Sequence, residues 1–300
     1  MTDGTSVSVL GLGRMGAPIA SRLLAALGSL TVWNRSPDKA VVLRRAGATV
    51  ATTPAEAAAA VTLTVLPDLV DVEAVLAGAK GLLAGWAAAG VERPVLVVHG
   101  TVSPVGVAAL ARELASVGVG VVDAPISGGV AGAVSGALSV MVGGTPDAVG
   151  RVWPVLELVG GTVRHLGPVG AGQTAKACNQ VVVAATVTAL SEALVLADAA
   201  GIARADLLEL LGGGLADSQV LHQKRERWLT GDFAGGGSSG NQLKDLRFVA
   251  EAAAARGLRL PVAATLYSVF ERAVADGEGA LDHSAVELSL ARHAAVGVSP

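Results

Sequence analysis

Through the first half of the chain, short runs of β-branched and other apolar residues alternate with Ala-rich stretches. The runs Val7–Leu10, Leu30–Trp33, Val61–Leu66, Val95–His99, Gly120–Asp123 and Ser139–Val142 predict strands, and helices are predicted to start near Met15, Pro37, Pro54, Val72, Pro104 and Thr145. Several of these starts set Pro close behind a hydroxyl residue, as at Ser36-Pro37, Thr53-Pro54 and Ser103-Pro104. There a hydroxyl can cap free amides and Pro suits the first turn. Such alternation is the pattern of successive βαβ units in a parallel sheet.

The alternation ends after Val163–Leu166, where Gly167-Pro168-Val169-Gly170-Ala171-Gly172 breaks it. The domain boundary is therefore expected there, with a first domain over 1–168 and a second over 169–300. Beyond it every expected element is helical: a very long helix over Gln173–Ala200, then Ala205–Leu211, Asp217–Leu229, Leu243–Ala255, Pro261–Asp276 and His283–Ala294. The stretch Gly235–Gly240 is flexible by composition and reads as a mobile lid or a plain linker. No internal repeat is evident.

Three hundred residues suffice for two domains, each with its own interior. With 52% hydrophobic but only 3% aromatic residues, that interior is filled by Ala, Val and Leu, which suits parallel strands and closely packed helices. A net charge of −3 without long like-charge runs gives no electrostatic footprint for nucleic acid or an anionic membrane surface, so a small soluble ligand is expected. Cys178 is the sole cysteine, which excludes an internal disulfide and a cysteine-based zinc site. With a short polar leader, Met1–Ser6, in place of a basic region and apolar run, the expected location is cytoplasmic. Val181–Ala200 is long and apolar enough to test that view, but Glu192 and Asp198 interrupt it. A helix buried between domains or subunits is expected in preference to a membrane span, and with it at least a homodimer or higher homo-oligomer. The five histidines show no metal-ligand spacing, and no metal is assigned.

Gly11-Leu12-Gly13-Arg14-Met15-Gly16 follows the first predicted strand directly and opens an apolar helix. That context turns a weak pattern into a dinucleotide-binding signal. Gly11 permits the tight turn, Gly13 lets main chain approach the pyrophosphate, and Gly16 allows close packing, while the helix start supplies amides and partial positive charge. The fold class that follows is α/β: an N-terminal Rossmann dinucleotide-binding domain, then an all-α C-terminal domain with a long interdomain helix. At the end of the second strand, Asn34 stands where an NAD enzyme usually places an acid on the ribose 2′-hydroxyl. A carboxylate would repel a 2′-phosphate; Asn34 is neutral, Arg35 offers a planar fork and Ser36 a hydroxyl. NADP(H) is favoured over NAD(H), although dual-cofactor enzymes tolerate the same residues.

The order of motifs resembles the β-hydroxyacid dehydrogenase family, that of 3-hydroxyisobutyrate dehydrogenase, tartronate semialdehyde reductase and the glyoxylate or succinic semialdehyde reductases. Besides the N-terminal glycines, the resemblance rests on Asp123-Ala124-Pro125-Ile126-Ser127-Gly128-Gly129 with Gly132-Ala133 and Met141-Val142-Gly143-Gly144, on the run Gly170 to Gln180, and on Lys244-Asp245-Leu246. It implies interconversion of a small hydroxy acid with its aldehyde or keto acid. By the same resemblance Lys176 is the general acid/base, Ser127, Gly128 and Gly129 hold the substrate carboxylate, and Asn179 and Gln180 help orient it. Leu66, Pro67, Thr101 and Lys244 are implied to touch the cofactor. The chain departs from the family at His99, where a Ser commonly precedes the Thr, and at Gln180, which replaces a second Asn.

Independently of any family, Gln173, Lys176, Asn179 and Gln180 fall three and four residues apart, on one face of a helix that is otherwise apolar. A lysine there can stabilise charge developing on a carbonyl oxygen and deliver its proton. Spacing alone leaves open a domain-junction lysine paired with an acid. Likewise, consecutive glycines after Ser127 can turn main-chain amides toward a carboxylate or simply form a tight turn. Two competing functions share parts of this pattern. An imine reductase or reductive aminase would share the fold and the glycines, though not the lysine. A non-catalytic dinucleotide-binding module would need neither Lys176 nor the Ser127 segment.

Overall fold

The computed structural model describes residues 5–294, so residues 1–4 of the polar leader lie outside it. The chain divides between Lys176 and Ala177 into two compact units.

The first unit is built on strands β1 (Val7–Leu10), β2 (Thr31–Trp33), β3 (Thr49–Val50), β4 (Val61–Thr64), β5 (Val95–Val98), β6 (Gly120–Asp123), β7 (Ile126–Ser127), β8 (Leu138–Gly143) and β9 (Gly160–Gly167). They form one sheet in the order β3-β2-β1-β4-β5-β6-β8-β7, with β9 also paired to β8. From β3 through β6 all pairings are parallel. Beyond β6 the pattern changes, since β8 runs antiparallel to both β6 and β7. The alternation along the chain does not announce this edge, because β7 is only two residues long and follows β6 without a crossover helix.

The helices of this unit are α1 (Gly16–Leu27), α2 (Val41–Arg45), α3 (Leu69–Leu76), α4 (Leu82–Ala88), α5 (Pro104–Ala115), α6 (Gly129–Ser135) and α7 (Pro146–Glu157). Strands buried on both faces give two apolar cores, one containing Val9, Ile19, Leu23, Leu63 and Val140, the other Leu10, Val72, Leu96, Val98 and Leu110. Hydroxyl caps form at Ser103, which accepts the Gly106 N–H at 2.8 Å, and at Thr145, which accepts that of Ala148. The Thr53-Pro54 start yields only a 3₁₀ turn, Ala55–Ala57, because the chain must become extended at Ala58 to enter β4. Helices α4 and α6 carry no strong start signal. Helix α6 is framed by Gly128 and by Gly136 in the left-handed region.

Helix α8 (Ala171–Ala199) begins in the first unit and continues through the second. It is long and apolar enough to cross a membrane by length and composition alone. In the second unit its residues Ala184, Val187, Leu190 and Leu194 are buried among α9 (Arg204–Gly212), α10 (Gln219–Thr230), α11 (Ser239–Ala254), α12 (Pro261–Ala275) and α13 (Val286–His293). Each such Val or Leu contributes on the order of 1.5–3 kcal/mol of burial. Val182 and Leu196, 66% and 71% exposed, lie on its outer side.

The Gly235–Gly240 stretch, which leads from α10 into α11, is held against residues 281–283. Its Gly237 carbonyl accepts the His283 N–H at 2.7 Å, the Ser239 N–H bonds the Leu281 carbonyl at 2.9 Å, and Ser238 caps α11. Gly236, at φ +79°, leaves the space that the Asp282 carboxylate occupies; a Cβ there would lie 1.6 Å from Asp282 Oδ2. Gly236 brings backbone against a buried acid, and composition alone does not reveal the acid.

Candidate active site

The glycine turn leaves β1 with Gly11 at φ +96°, a conformation costly for any residue with a Cβ. A Cβ at Gly11 would also lie 2.5 Å from the Val65 carbonyl oxygen and 2.8 Å from Leu66 Cδ2. At Gly16 it would lie 1.8 Å from the Gly11 carbonyl oxygen, so close packing demands glycine there. Gly13 differs, for a Cβ there meets no protein atom within 4 Å. The following helix, α1, starts at Met15 without a side-chain cap and without an acid in its first turn. An uncapped helix start beside a bare glycine fits the pyrophosphate of a dinucleotide.

Asn34 is tied into this turn. Its Oδ1 accepts the Leu12 N–H at 2.8 Å, its Nδ2 donates to the Ser36 carbonyl at 2.9 Å, and the Gly11 N–H bonds the Trp33 carbonyl. Asn34 thus couples the glycine turn to the end of β2, a role its neutrality alone does not suggest. Arg14, Arg35 and Ser36 are exposed around it, and Met15 is half-buried.

Leu66 and Pro67 follow β4. The Leu66 carbonyl oxygen would lie 2.0 Å from a Cβ on Gly100, which explains glycine beside Thr101. The 100–102 loop is held by Gln173: its Nε2 donates to the Gly100 carbonyl at 2.8 Å and its Oε1 accepts the Val102 N–H at 3.1 Å. His99 just before it is 2% exposed, with Nδ1 2.6 Å from the Ala124 carbonyl oxygen and Nε2 without a hydrogen-bond partner among the described residues. Burial pulls the His99 imidazole down to about 4, against the opposing bond to Ala124.

Ser127 ends β7 half-buried, while Gly128 and Gly129 are exposed at φ +126° and +66°. Both conformations are readily available only to glycine, and together they present main chain at the start of α6. Lys176 lies on α8, 8% exposed, one turn beyond Gln173. The first turn of α8 is met by Asp123, fully buried at the end of β6. Burial pushes the Asp123 carboxyl up, and bonds from the Gly170 and Gln173 amides act against that.

In the second unit, Gln180 is engaged internally. Its Nε2 donates to Asp245 Oδ2 at 2.6 Å and its Oε1 accepts from Asn179 Nδ2 at 2.9 Å. Gln242 and His283 continue this network, with His283 Nδ1 3.3 Å from Gln242 Oε1. Lys244 lies 3.7 Å from Asp245 Oδ1 and 5.4 Å from the centre of the Phe248 ring. Among the described residues no group of three or more His, Cys, Asp or Glu is arranged to hold a metal ion. The glycines, Asn34–Ser36 and Leu66 thus lie together in the first unit; Asn179, Gln180 and Lys244 belong to the second. The motifs contain Asp123, Gln173 and Asp245 but assign them no role. Their signal is a polar residue closing an apolar strand or placed on the inward face of a helix.

The fold and glycine turn define a dinucleotide-binding protein. The NAD binding domain of 6-phosphogluconate dehydrogenase matches residues 6–167, and the NAD-binding domain of NADP-dependent 3-hydroxyisobutyrate dehydrogenase matches residues 170–289. The chain is 35% identical to 2-hydroxy-3-oxopropionate reductase of Escherichia coli over 94% of its own length and 95% of that protein's. It is 33% identical to 3-hydroxyisobutyrate dehydrogenase of Pseudomonas aeruginosa, covering 94% of this chain and 97% of that one. The solved structure of Mycobacterium tuberculosis 3-hydroxyisobutyrate dehydrogenase with L-serine superposes with a TM-score of 0.80 at 30% identity, over 95% of this chain and 99% of that one. The chain belongs to the β-hydroxyacid dehydrogenase family. It is accordingly an NAD(P)-dependent hydroxyacid dehydrogenase or reductase acting on a small molecule.

Proposed function

We propose that the protein prefers NADP(H) and interconverts a small β-hydroxy acid with its semialdehyde or keto acid, with Lys176 as the general acid/base. The observation that carries this is a lysine 8% exposed beside Gln173, Asn179 and Gln180 on a mostly apolar helix. Lysine is rarely buried to this degree without a role for its charge. When bound, the nicotinamide dinucleotide supplies the hydride to the carbonyl carbon in reduction and takes it back in oxidation. As negative charge gathers on the carbonyl oxygen, the Lys176 ammonium stabilises it and gives up a proton, leaving a neutral amine. In the reverse direction that amine takes the hydroxyl proton.

Ser127 and the main chain of Gly128 and Gly129 hold the substrate carboxylate. Asn179 orients the substrate, and Gln180, whose amide is spoken for by Asp245, holds Asn179. L-Serine, bound by the mycobacterial relative, is itself a β-hydroxy acid and supports this substrate class. The turn Gly11–Gly16 takes the pyrophosphate, Arg35 and Ser36 take the 2′-phosphate, and Leu66, Pro67, Thr101 and Lys244 complete the dinucleotide's contacts. We further read the protein as cytoplasmic and, from exposed Val182 and Leu196 on α8, as at least a homodimer. A fully active monomer in light scattering at micromolar concentration refutes the dimer.

The test of Lys176 is a comparison of turnover with NADPH binding in the same folded variants. Proton transfer and charge stabilisation together contribute on the order of 3–5 kcal/mol, so Lys176→Ala lowers turnover about a hundredfold or more while dinucleotide affinity barely moves. Lys176→Arg fails as well, since Arg cannot serve as the base. Near-normal turnover of a hydroxy acid by Lys176→Ala refutes the assignment, and activity retained only toward imines replaces it with an imine reductase.

A further inference from the structure

The carboxylate of Asp123 closes β6 and meets the start of α8 with both oxygens. Oδ1 accepts the Gly170 N–H at 2.8 Å and Oδ2 the Gln173 N–H at 2.7 Å. The first amides of a helix lack intrahelical partners, and an anion there also meets the positive end of the helix dipole. Two acceptor oxygens satisfy two donors. An Asn in the same place would turn an NH₂ against one of them.

The backbone around this carboxylate is shaped to admit it. A Cβ on Gly143 would lie 2.3 Å from Asp123 Oδ1, and 2.8 Å from both the Gly172 nitrogen and the Pro168 carbonyl oxygen. A Cβ on Gly172 would lie 2.3 Å from the Met141 carbonyl oxygen and 2.7 Å from that of Asp123. The segments around Asp123, Gly143 and Gly172 are separate in sequence and converge on one junction. Gln173, whose N–H the carboxylate takes, sends its side chain on to Gly100 and Val102. Lys176 follows one turn later on the same helix.

We propose that Asp123 is a positioning residue for the reaction: its carboxylate fixes the first turn of α8 and, through Gln173, the loop carrying Thr101, so that Lys176 and this loop keep one geometry. The proposal rests on reading Lys176 as the general acid/base. Asp123 touches neither substrate nor dinucleotide and acts only through the turn it holds.

The experiment uses the full chain and four variants: Asp123→Asn, Gly143→Ala, Lys176→Ala, and the double variant Asp123→Asn/Lys176→Ala. Asp123→Asn is expected to lower kcat about tenfold with dinucleotide affinity changed by less than about twofold, and to lower it by less than about twofold further when the Lys176→Ala change is already present. Gly143→Ala, whose Cβ would press on the carboxylate and also on the Gly172 nitrogen and Pro168 carbonyl oxygen at the entry to α8, reproduces the loss. Amide exchange of Gln173 speeds up in both Asp123→Asn and Gly143→Ala while the amides of β1, β4 and β5 keep their protection. An equal fractional loss of kcat from Asp123→Asn with Lys176 present and with it replaced shows that Asp123 acts independently and overturns the proposal. So does loss of protection throughout the sheet in Asp123→Asn and Gly143→Ala, which would make the carboxylate a residue of the fold. Normal turnover in Lys176→Ala alone overturns the acid/base reading first, and is seen separately from either result.

Discussion

Adding one methyl group at Gly13 or at Gly16 is expected to have opposite consequences, although the two lie three residues apart. A Cβ on Gly13 meets no protein atom within 4 Å, and Gly13 is not among the glycines with positive φ. Gly13→Ala should therefore leave the unliganded protein within about 1 kcal/mol of its original stability, helped by a less flexible unfolded chain. A Cβ on Gly16 would lie 1.8 Å from the Gly11 carbonyl oxygen and 3.3 Å from Val65 Cβ. Main chain must shift to relieve the first contact, at a cost of about 1–3 kcal/mol or more. At about 2–4 °C per kcal/mol for a domain of 150–250 residues, Gly16→Ala lowers Tm visibly. Gly13→Ala instead blocks the approach of the pyrophosphate to main chain. A loss of at least about tenfold in dinucleotide affinity, about 1.4 kcal/mol, is expected. Thermal melts of the unliganded variants and calorimetric titration with NADPH measure the two effects separately. Unchanged NADPH affinity in Gly13→Ala would refute the reasoning, because the opening beside Gly13 would not then be where the dinucleotide lies.

Two further outcomes follow from the same unit. Arg35→Ala should weaken NADPH by about 1–3 kcal/mol with little change for NADH, and equal losses for both would show that Arg35 does not meet a 2′-phosphate. His99 is held at about 4 in the fold, below its ordinary 6.5, so the unfolded chain binds the proton first as pH falls. The stability His99 contributes is full above pH 6.5 and is lost on acidification toward pH 4, a difference of about 3 kcal/mol. Denaturant titrations at about pH 7 and about pH 4 should show this slope reduced in His99→Gln. Asp123, raised by burial, works in the opposite sense but is common to both proteins. An identical slope in the variant would mean that His99 takes up its proton without unfolding.

What the sequence by itself determined is the local and periodic part of the molecule. The β1 strand, the glycine turn and α1 follow from adjacent residues, as do the caps at Ser103 and Thr145, because the donors and acceptors lie within a turn of each other. The helical second half is legible from Gln173 onward for the same reason. Lys176 could be singled out because helix spacing gathers the polar residues around it on one face, and Gly13 because a strand precedes it and a helix follows. Tertiary structure decided the features whose partners are distant in the chain. Thr53-Pro54 carries the same local signal as Ser103-Pro104, yet the demand of β4 for extended chain cuts its helix to one 3₁₀ turn. Gly235–Gly240 has the composition of a flexible segment, yet it is pinned by Leu281, Asp282 and His283. Gln180 stands beside Asn179 in the chain, yet its amide donates to Asp245, 65 positions away. Asp123 reads as the end of a strand, and only folding brings it to two amides at the start of α8, 47 and 50 positions along the chain. A hydrogen bond acts over about 3 Å, so where its partner lies far along the chain, the sequence holds both groups but only the fold makes them neighbours.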